Sequence, residues 1–408
     1  MREPQASIAA RSPVAAARAL WAARLVVFVA FFDLFVQYPL AAPYAEWLGA
    51  APALTGFIVA SYSIANLAGN IGAGMLLDRF GRARPLVLAL LGTALVLAAY
   101  TMVRDAYQLI IVRLLHGLAV ATLAPGAFAL IGDLTAPDER ARAMGINGAL
   151  IAIAAMVAPP LAGVLQDRLG YEPIFLADAA LMALAVPVTW LALRRVHVEP
   201  AAPSKAERSH SVDRYLTLAR RPRLALAYAT ILTFTVSLGF LVTHLPLAIE
   251  VGGGTAAQRG LAFSIYALVA ALVMASPLTR YSDRRGRSRP LGLGLLLVGL
   301  GLLTLALGLA RPALVLGMTS FGLGFGLLFP SASALVVEAS APAERGSAFG
   351  LFYALYSVGV IVGATLSGLL ASWAGMASPL PFLISGFLSA TAGPVILLGA
   401  LGGSRDAS

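Results

Sequence analysis

Cysteine is absent from all 408 residues, which excludes disulfides and thiol chemistry and leaves the redox compartment open. Charge is scarce as well. Asp, Glu, Lys and Arg make up 12% of the chain, against about 25% in a soluble domain. That fraction is too small to coat a water-soluble globule of this size. Also missing are an HExxH pair, a GxSxG nucleophile elbow and any cluster of His and acid ligands, so neither an enzyme nor a metal centre is expected.

What the chain has is apolar sequence, 59% of it hydrophobic. Stretches of about 20 apolar residues, long enough to cross a bilayer as helices, recur along its whole length. They predict spans near 24–47, 54–77, 84–103, 107–132, 143–165 and 174–194, then 224–248, 259–279, 290–310, 312–337, 347–373 and 380–402. The expected fold is an all-α membrane protein of twelve helices in two six-helix halves, 1–194 and 224–408. A loop at 195–223, rich in Arg, Ser and Pro, joins them and has room for a short surface helix. The basic start is followed by an apolar run too long for a signal core and containing Asp33, so it reads as the first span.

The net charge of +10 records topology. Basic residues crowd alternate connections: Arg79, Arg82 and Arg84; Arg140 and Arg142; the cluster from Arg194 to Arg223; and Arg280 to Arg289. The other side holds only Arg104, Arg168, Arg259 and Arg311. This is the positive-inside pattern, and it puts both termini in the cytoplasm. A nucleic-acid partner is not expected; the lipid bilayer is.

The halves repeat. DRFGRARP at 78–85 returns as DRRGRSRP at 283–290, and DLTAPDERARAMG at 133–145 returns as EASAPAERGSAFG at 338–350, both at an offset of 205. Two matches in one register imply internal duplication. Duplicated six-helix units are a transporter architecture, with the substrate site expected between the halves near the midplane.

At this point a family resemblance becomes specific. GMLLDRFGRARP (74–85) resembles the loop signature of the major facilitator superfamily, and its weaker copy lies between spans 8 and 9. RLLHG (113–117) resembles that family's Arg-x-x-Gln-Gly element, with His116 in place of Gln. APPLAG (158–163) resembles the Gly-Pro-rich element of the drug/proton antiporters, with most glycines replaced by alanine. Small residues around Pro159, Pro160 and Gly163 keep the close helix packing of that element.

The resemblance implies a gate. Asp78, at the end of span 2, would latch onto the positive N-terminus of span 11 near Gly346, and Asp283 onto the start of span 5. Gly81 and Gly286 permit the tight loops. Arg82 and Arg287 reach Asp133 and Glu338, with Arg79 and Arg284 beside them, so that the cytoplasmic side closes while the other opens. The alternative is that these arginines only enforce topology.

Charges within the spans each need a reason, since one at a helix centre costs about 2.5–3.5 kcal/mol on insertion scales. Asp33 is the deepest, with Gln37 one turn on and Arg113 of span 4 within reach. The resemblance implies that Asp33 and Arg113 couple transport to protons; a static pair joining spans 1 and 4 is the alternative. Asp178, a few residues inside span 6, reads as an interfacial charge within snorkelling reach, with a second titrating site as the alternative. His116 and His244 are either coupling residues or hydrogen-bonding packing residues.

Tyr62, Asn66 and Asn70 form a polar stripe on span 2, as do Tyr353 and Ser357 on span 11. With Gln37 and Tyr38 they suggest either a cavity suited to an amphiphilic solute or interhelical hydrogen bonding. Gly322, Gly324 and Gly326 read as helix packing. The resulting expectation is a monomeric secondary transporter of a bacterial inner membrane. It exports a small organic compound, a drug or metabolite, with no cofactor and with the proton as coupling ion. Uptake or facilitated exchange, or lipid flipping, by the same fold are the alternatives.

Overall fold

The computed structural model describes residues 13–136, 139–194, 212–276, 286–341 and 344–402. In hydrocarbon every backbone N–H and C=O must be satisfied within the segment, and an uninterrupted apolar chain does this as a helix. The first set of helices is α1 (Pro13–Trp47), α2 (Pro52–Phe80), α3 (Ala83–Ala99), α4 (Ala106–Val120), α5 (Leu123–Leu134), α6 (Arg140–Leu169) and α7 (Glu172–Leu193). A 3-10 turn, Tyr100–Met102, extends α3. Then follow α8 (Val212–Arg220), α9 (Pro222–Val251), α10 (Ala256–Ala275), α11 (Ser288–Ala306), α12 (Arg311–Ala339), α13 (Arg345–Ala374) and α14 (Leu380–Gly402). The amphipathic α8 is the short helix for which the 195–223 loop has room. Among the described residues, 11 helical segments are long and apolar enough to cross a membrane. The 29-residue α2 stands where the remaining span is expected.

Local signals explain many of the ends. Asp105 caps α4 by accepting from the backbone N–H groups of Tyr107 and Gln108, both at 2.9 Å, and Thr255 caps α10 through Gln258 N–H at 3.2 Å. Pro222 and Pro312 stand in the first turns of α9 and α12, where a missing N–H goes unnoticed. Gly81 and Gly286, the equivalent glycines of the duplicated loop, both turn at positive φ, 73° and 84°. A side chain would be strained there.

Span 4 departs from the expected continuous helix. It breaks between α4 and α5 at Ala121–Thr122, four and three residues before Pro125. A proline ring strikes the carbonyl four residues back and offers that carbonyl no hydrogen bond. Pro330, its counterpart at the repeat offset, lies inside α12 without interrupting it.

By packing, the chain forms two units: Met1–Gln37 with Ser61–Ala202, and Tyr38–Ala60 with Pro203–Ser408. Within the first unit α3 packs on α7 and α4; within the second α11 packs on α14 and α12. These are the same spans of each repeat. Backbones approach closely, as small residues allow in membranes. A Cβ on Gly322 would lie 2.6 Å from the carbonyl oxygen of Tyr266, and one on Gly326 2.7 Å from Cβ of Val273. Those glycines, with Gly324 against α11, are packing residues, as the sequence suggests.

Candidate functional site, a buried polar cluster

Four helices and the 3-10 turn of the first unit bring their polar side chains to one place. Asp33 of α1 is fully buried. Its Oδ2 lies 3.0 Å from Nε2 of His116 on α4, itself fully buried. The other imidazole nitrogen, Nδ1, is 3.1 Å from the hydroxyl of Tyr100. With Asp33 as a carboxylate, one tautomer satisfies the chain: Nε2–H donates to Asp33 and Nδ1 accepts the tyrosine O–H. One turn before His116, buried Arg113 donates to Oε1 of Gln37 at 3.2 Å. Its guanidinium lies 5.3 Å from the centre of the Tyr62 ring, a cation–π arrangement. Tyr62 also meets His116 edge-on at 5.2 Å, while Tyr100 stacks on Phe175 of α7 at 4.5 Å.

Sequence depth brings Arg113 towards Asp33. In the structure the hydrogen bond to Asp33 comes from His116, three residues on and on the same helix face. Asp178 of α7 is a second departure, since its depth in the span suggests an interfacial charge. It is 3% exposed and lies beside Asp33. The cue for this residue is a packing relation, α3 against α7, that the sequence does not contain.

The polar stripe on α2 serves the same cluster. Asn66 donates to the carbonyl of Gly117 at 3.3 Å and Asn70 to Asn66 at 2.9 Å. Gly117 follows His116 because α2 and α4 touch there: a Cβ would lie 2.9 Å from the backbone nitrogen of Asn66 and closer still to the carbonyl of Tyr62. On α6, Pro159 and Gly163 are buried and Pro160 half-buried in an unbroken helix.

The remaining candidates belong to the second unit. Tyr38 meets Phe263 edge-on at 5.5 Å. His244 is fully buried, with Nε2 2.9 Å from the carbonyl of Ser378 and its ring edge-on to Phe382, a packing environment. Tyr353 is exposed on α13, and Ser357 donates to its carbonyl at 3.2 Å.

At the duplicated loops, Arg82 Nε donates to Asp133 Oδ2 at 3.2 Å, and Arg287 donates to Glu338 at 2.7 and 2.9 Å. The partners are 51 residues apart in both copies. The second copy is reinforced. Arg223 also donates to Glu338 at 3.1 Å, and Arg221 forks onto Glu344 at 2.6 and 2.9 Å. The Glu344 carboxylate holds the Arg221 guanidinium above its ordinary pKa. Arg79 is exposed with its guanidinium over Phe80. Asp283, Arg284 and the side chain of Asp78 lie outside the described residues.

A bundle of membrane-crossing helices, built twice from one plan and holding a buried ionisable cluster, defines a polytopic membrane transporter. The family model for the Major Facilitator Superfamily matches residues 25–257 and 253–405, and the chain belongs to that family; it is not an enzyme. It is 25% identical to "Multidrug resistance protein 1" of Bacillus subtilis (strain 168) over 345 residues, 84% of this chain and 87% of the relative. It is 26% identical to "Multidrug resistance protein MdtG" of Salmonella arizonae over 294 residues, 71% of this chain and 72% of that protein. A crystal structure of the nucleoside transporter NupG, solved as a point mutant, superposes with a TM-score of 0.76 at 18% identity, covering 93% of this chain and 99% of that one. That likeness is one of fold.

Proposed function

We propose that this protein exports a small organic compound, a drug or metabolite, from a bacterial cell in exchange for protons, by alternating access. The observation that carries this reading is the burial of Asp33 in a hydrogen-bonded set with His116 and Tyr100, beside the cation of Arg113. An acid at that depth is expensive, and protonation is the cheapest way to change its interactions. A proton on Asp33 weakens its pull on His116 and unbalances Arg113. A cationic substrate favours loss of that proton, which links cargo and proton in one cycle. The names of the multidrug-resistance relatives support the substrate class.

The protein is a monomer in the inner membrane with both termini and the basic loops in the cytoplasm, by the distribution of Arg. The pairs Arg82–Asp133 and Arg287–Glu338 hold the loop after span 2 or span 8 to the end of span 4 or span 10, stiffening each unit at its cytoplasmic end. Asp78 belongs to the same gate. Asp78→Asn inserts normally and transports poorly; near-normal transport by that variant removes Asp78 from the gate.

The direct test is expression in an efflux-deficient bacterium, with growth measured across a panel of toxic organic compounds for wild type and Asp33→Asn. Raised tolerance that disappears in the variant is the expected result. Unchanged tolerance in both, at verified membrane levels, overturns export of such compounds.

A further inference from the structure

Three carboxylate oxygens of the cluster stand buried without a hydrogen-bond donor among the described residues. Among the described residues neither oxygen of Asp178 finds a donor, although the residue is only 3% exposed and neighbours Asp33, and Asp33 Oδ1 finds none either. Asp33 Oδ2 is already held by His116. A buried carboxylate without a donor is among the least favourable arrangements in a protein, and two facing one another are worse. A single proton removes the repulsion and supplies one donor. Placed on Asp178, it makes that carboxyl a donor and Asp33 Oδ1 its natural acceptor.

The charges then close. The groups around Asp33 and Asp178 are Gln37 from α1, Tyr62 from α2, Tyr100 from the 3-10 turn, and Arg113 and His116 from α4. With His116 neutral, donating from Nε2 to Asp33 and accepting at Nδ1 from Tyr100, the cation of Arg113 balances the anion of Asp33 and an uncharged Asp178 leaves the cluster neutral. Resting on the proton-coupled reading, we propose that Asp33 and Asp178 form an acid–carboxylate pair sharing one proton, with Asp178 its storage site. His116 and Tyr100 act as positioning residues that keep Asp33 Oδ1 turned towards it. When the O–H bond of Asp178 breaks, the proton passes to Asp33 and on to water. The pair then carries a double negative charge until a cation or a new proton enters.

The storage site is tested without knowing the substrate. The purified full-length protein in lipid nanodiscs is compared by infrared difference spectroscopy in H2O and D2O at neutral pH. Wild type should show a protonated-carboxyl C=O band that shifts on deuteration. The band should be lost in Asp178→Asn, moved in Asp178→Glu, and kept at a shifted position in Asp33→Asn. An unchanged band in both Asp178 variants overturns the proposal. So does a band lost only in Asp33→Asn, which places the proton there, or a band in wild type removed by sodium chloride but not by potassium chloride, which makes the pair a sodium site. Asp178→Glu keeps the test decisive where the Asn variant fails to fold. A positive spectrum with a negative growth panel leaves the proton site standing and removes the export reading alone.

Discussion

His116 and Phe321 occupy the same place in the two copies of the duplicated unit, yet only one of them makes a hydrogen bond. Tyr62 meets the His116 ring edge-on at 5.2 Å and 75°; Tyr266 meets Phe321 at 5.3 Å and 76°. The next residue is glycine in both, Gly117 and Gly322, pressed against the carbonyl of the respective tyrosine. Around this shared frame the polarity is one-sided. The repeat offset takes Arg113 to Met318 and Tyr100 to Leu305, both buried and apolar. Phe234 and Phe325, stacked at 4.8 Å, fill out the aromatic nest near Phe321. The second unit keeps the same ring geometry with apolar residues at these positions. The acid, imidazole and guanidinium of the first unit stand where the second has Leu238, Phe321 and Met318.

The comparison can be broken at its centre. His116→Phe copies the second unit into the first and strips Asp33 of its donor. Losing a hydrogen bond to a charged group, about 1.5–3 kcal/mol, should slow energised transport roughly 10- to 100-fold in everted vesicles. Wild-type rates would return the cluster to a structural role. Gly117→Val tests the shared frame: over-packing against α2 should destabilise the protein by about 1–3 kcal/mol or more, read as thermal unfolding in detergent. Gly322→Val should do the same in the other copy. Phe321→His places an imidazole among apolar rings and should lower stability by about 1–3 kcal/mol while leaving transport intact. The smallest effect separates the two loop pairs. Arg82→Ala removes the ion pair seen at Asp133, whereas Arg287→Ala leaves Glu338 with Arg223. Both should shift stability by at most about 1 kcal/mol, since these pairs are partly exposed, with the larger fall in transport for Arg82→Ala.

Much of this was legible beforehand because lipid imposes simple rules. The apolar spans and the offset of 205 foretell the helices, and the family resemblance of the duplicated loop implies the pairs Arg82–Asp133 and Arg287–Glu338. Other features depend on lateral neighbours, which depth along a span does not reveal. Asp178 reads as interfacial until α7 is seen packed on α3 beside Asp33. Arg113 and His116 lie one turn apart on one face, and only the positions of α1 and α4 decide which of them reaches the carboxylate. Pro125 and Pro330 are equivalent in sequence, but only the first coincides with a helix break, so the surroundings of each helix decide the outcome.

The glycine contacts at 117 and 322 bear on how such proteins diversify. A duplicated gene inherits two helix pairs welded backbone to backbone at those positions. The ring next to each weld can be exchanged without altering the weld, because the neighbouring tyrosine accepts an imidazole or a phenyl edge at the same spacing. New chemistry thereby enters one copy by a few substitutions while the other keeps the architecture safe, which separates the evolvable part of the molecule from the part that must stay fixed.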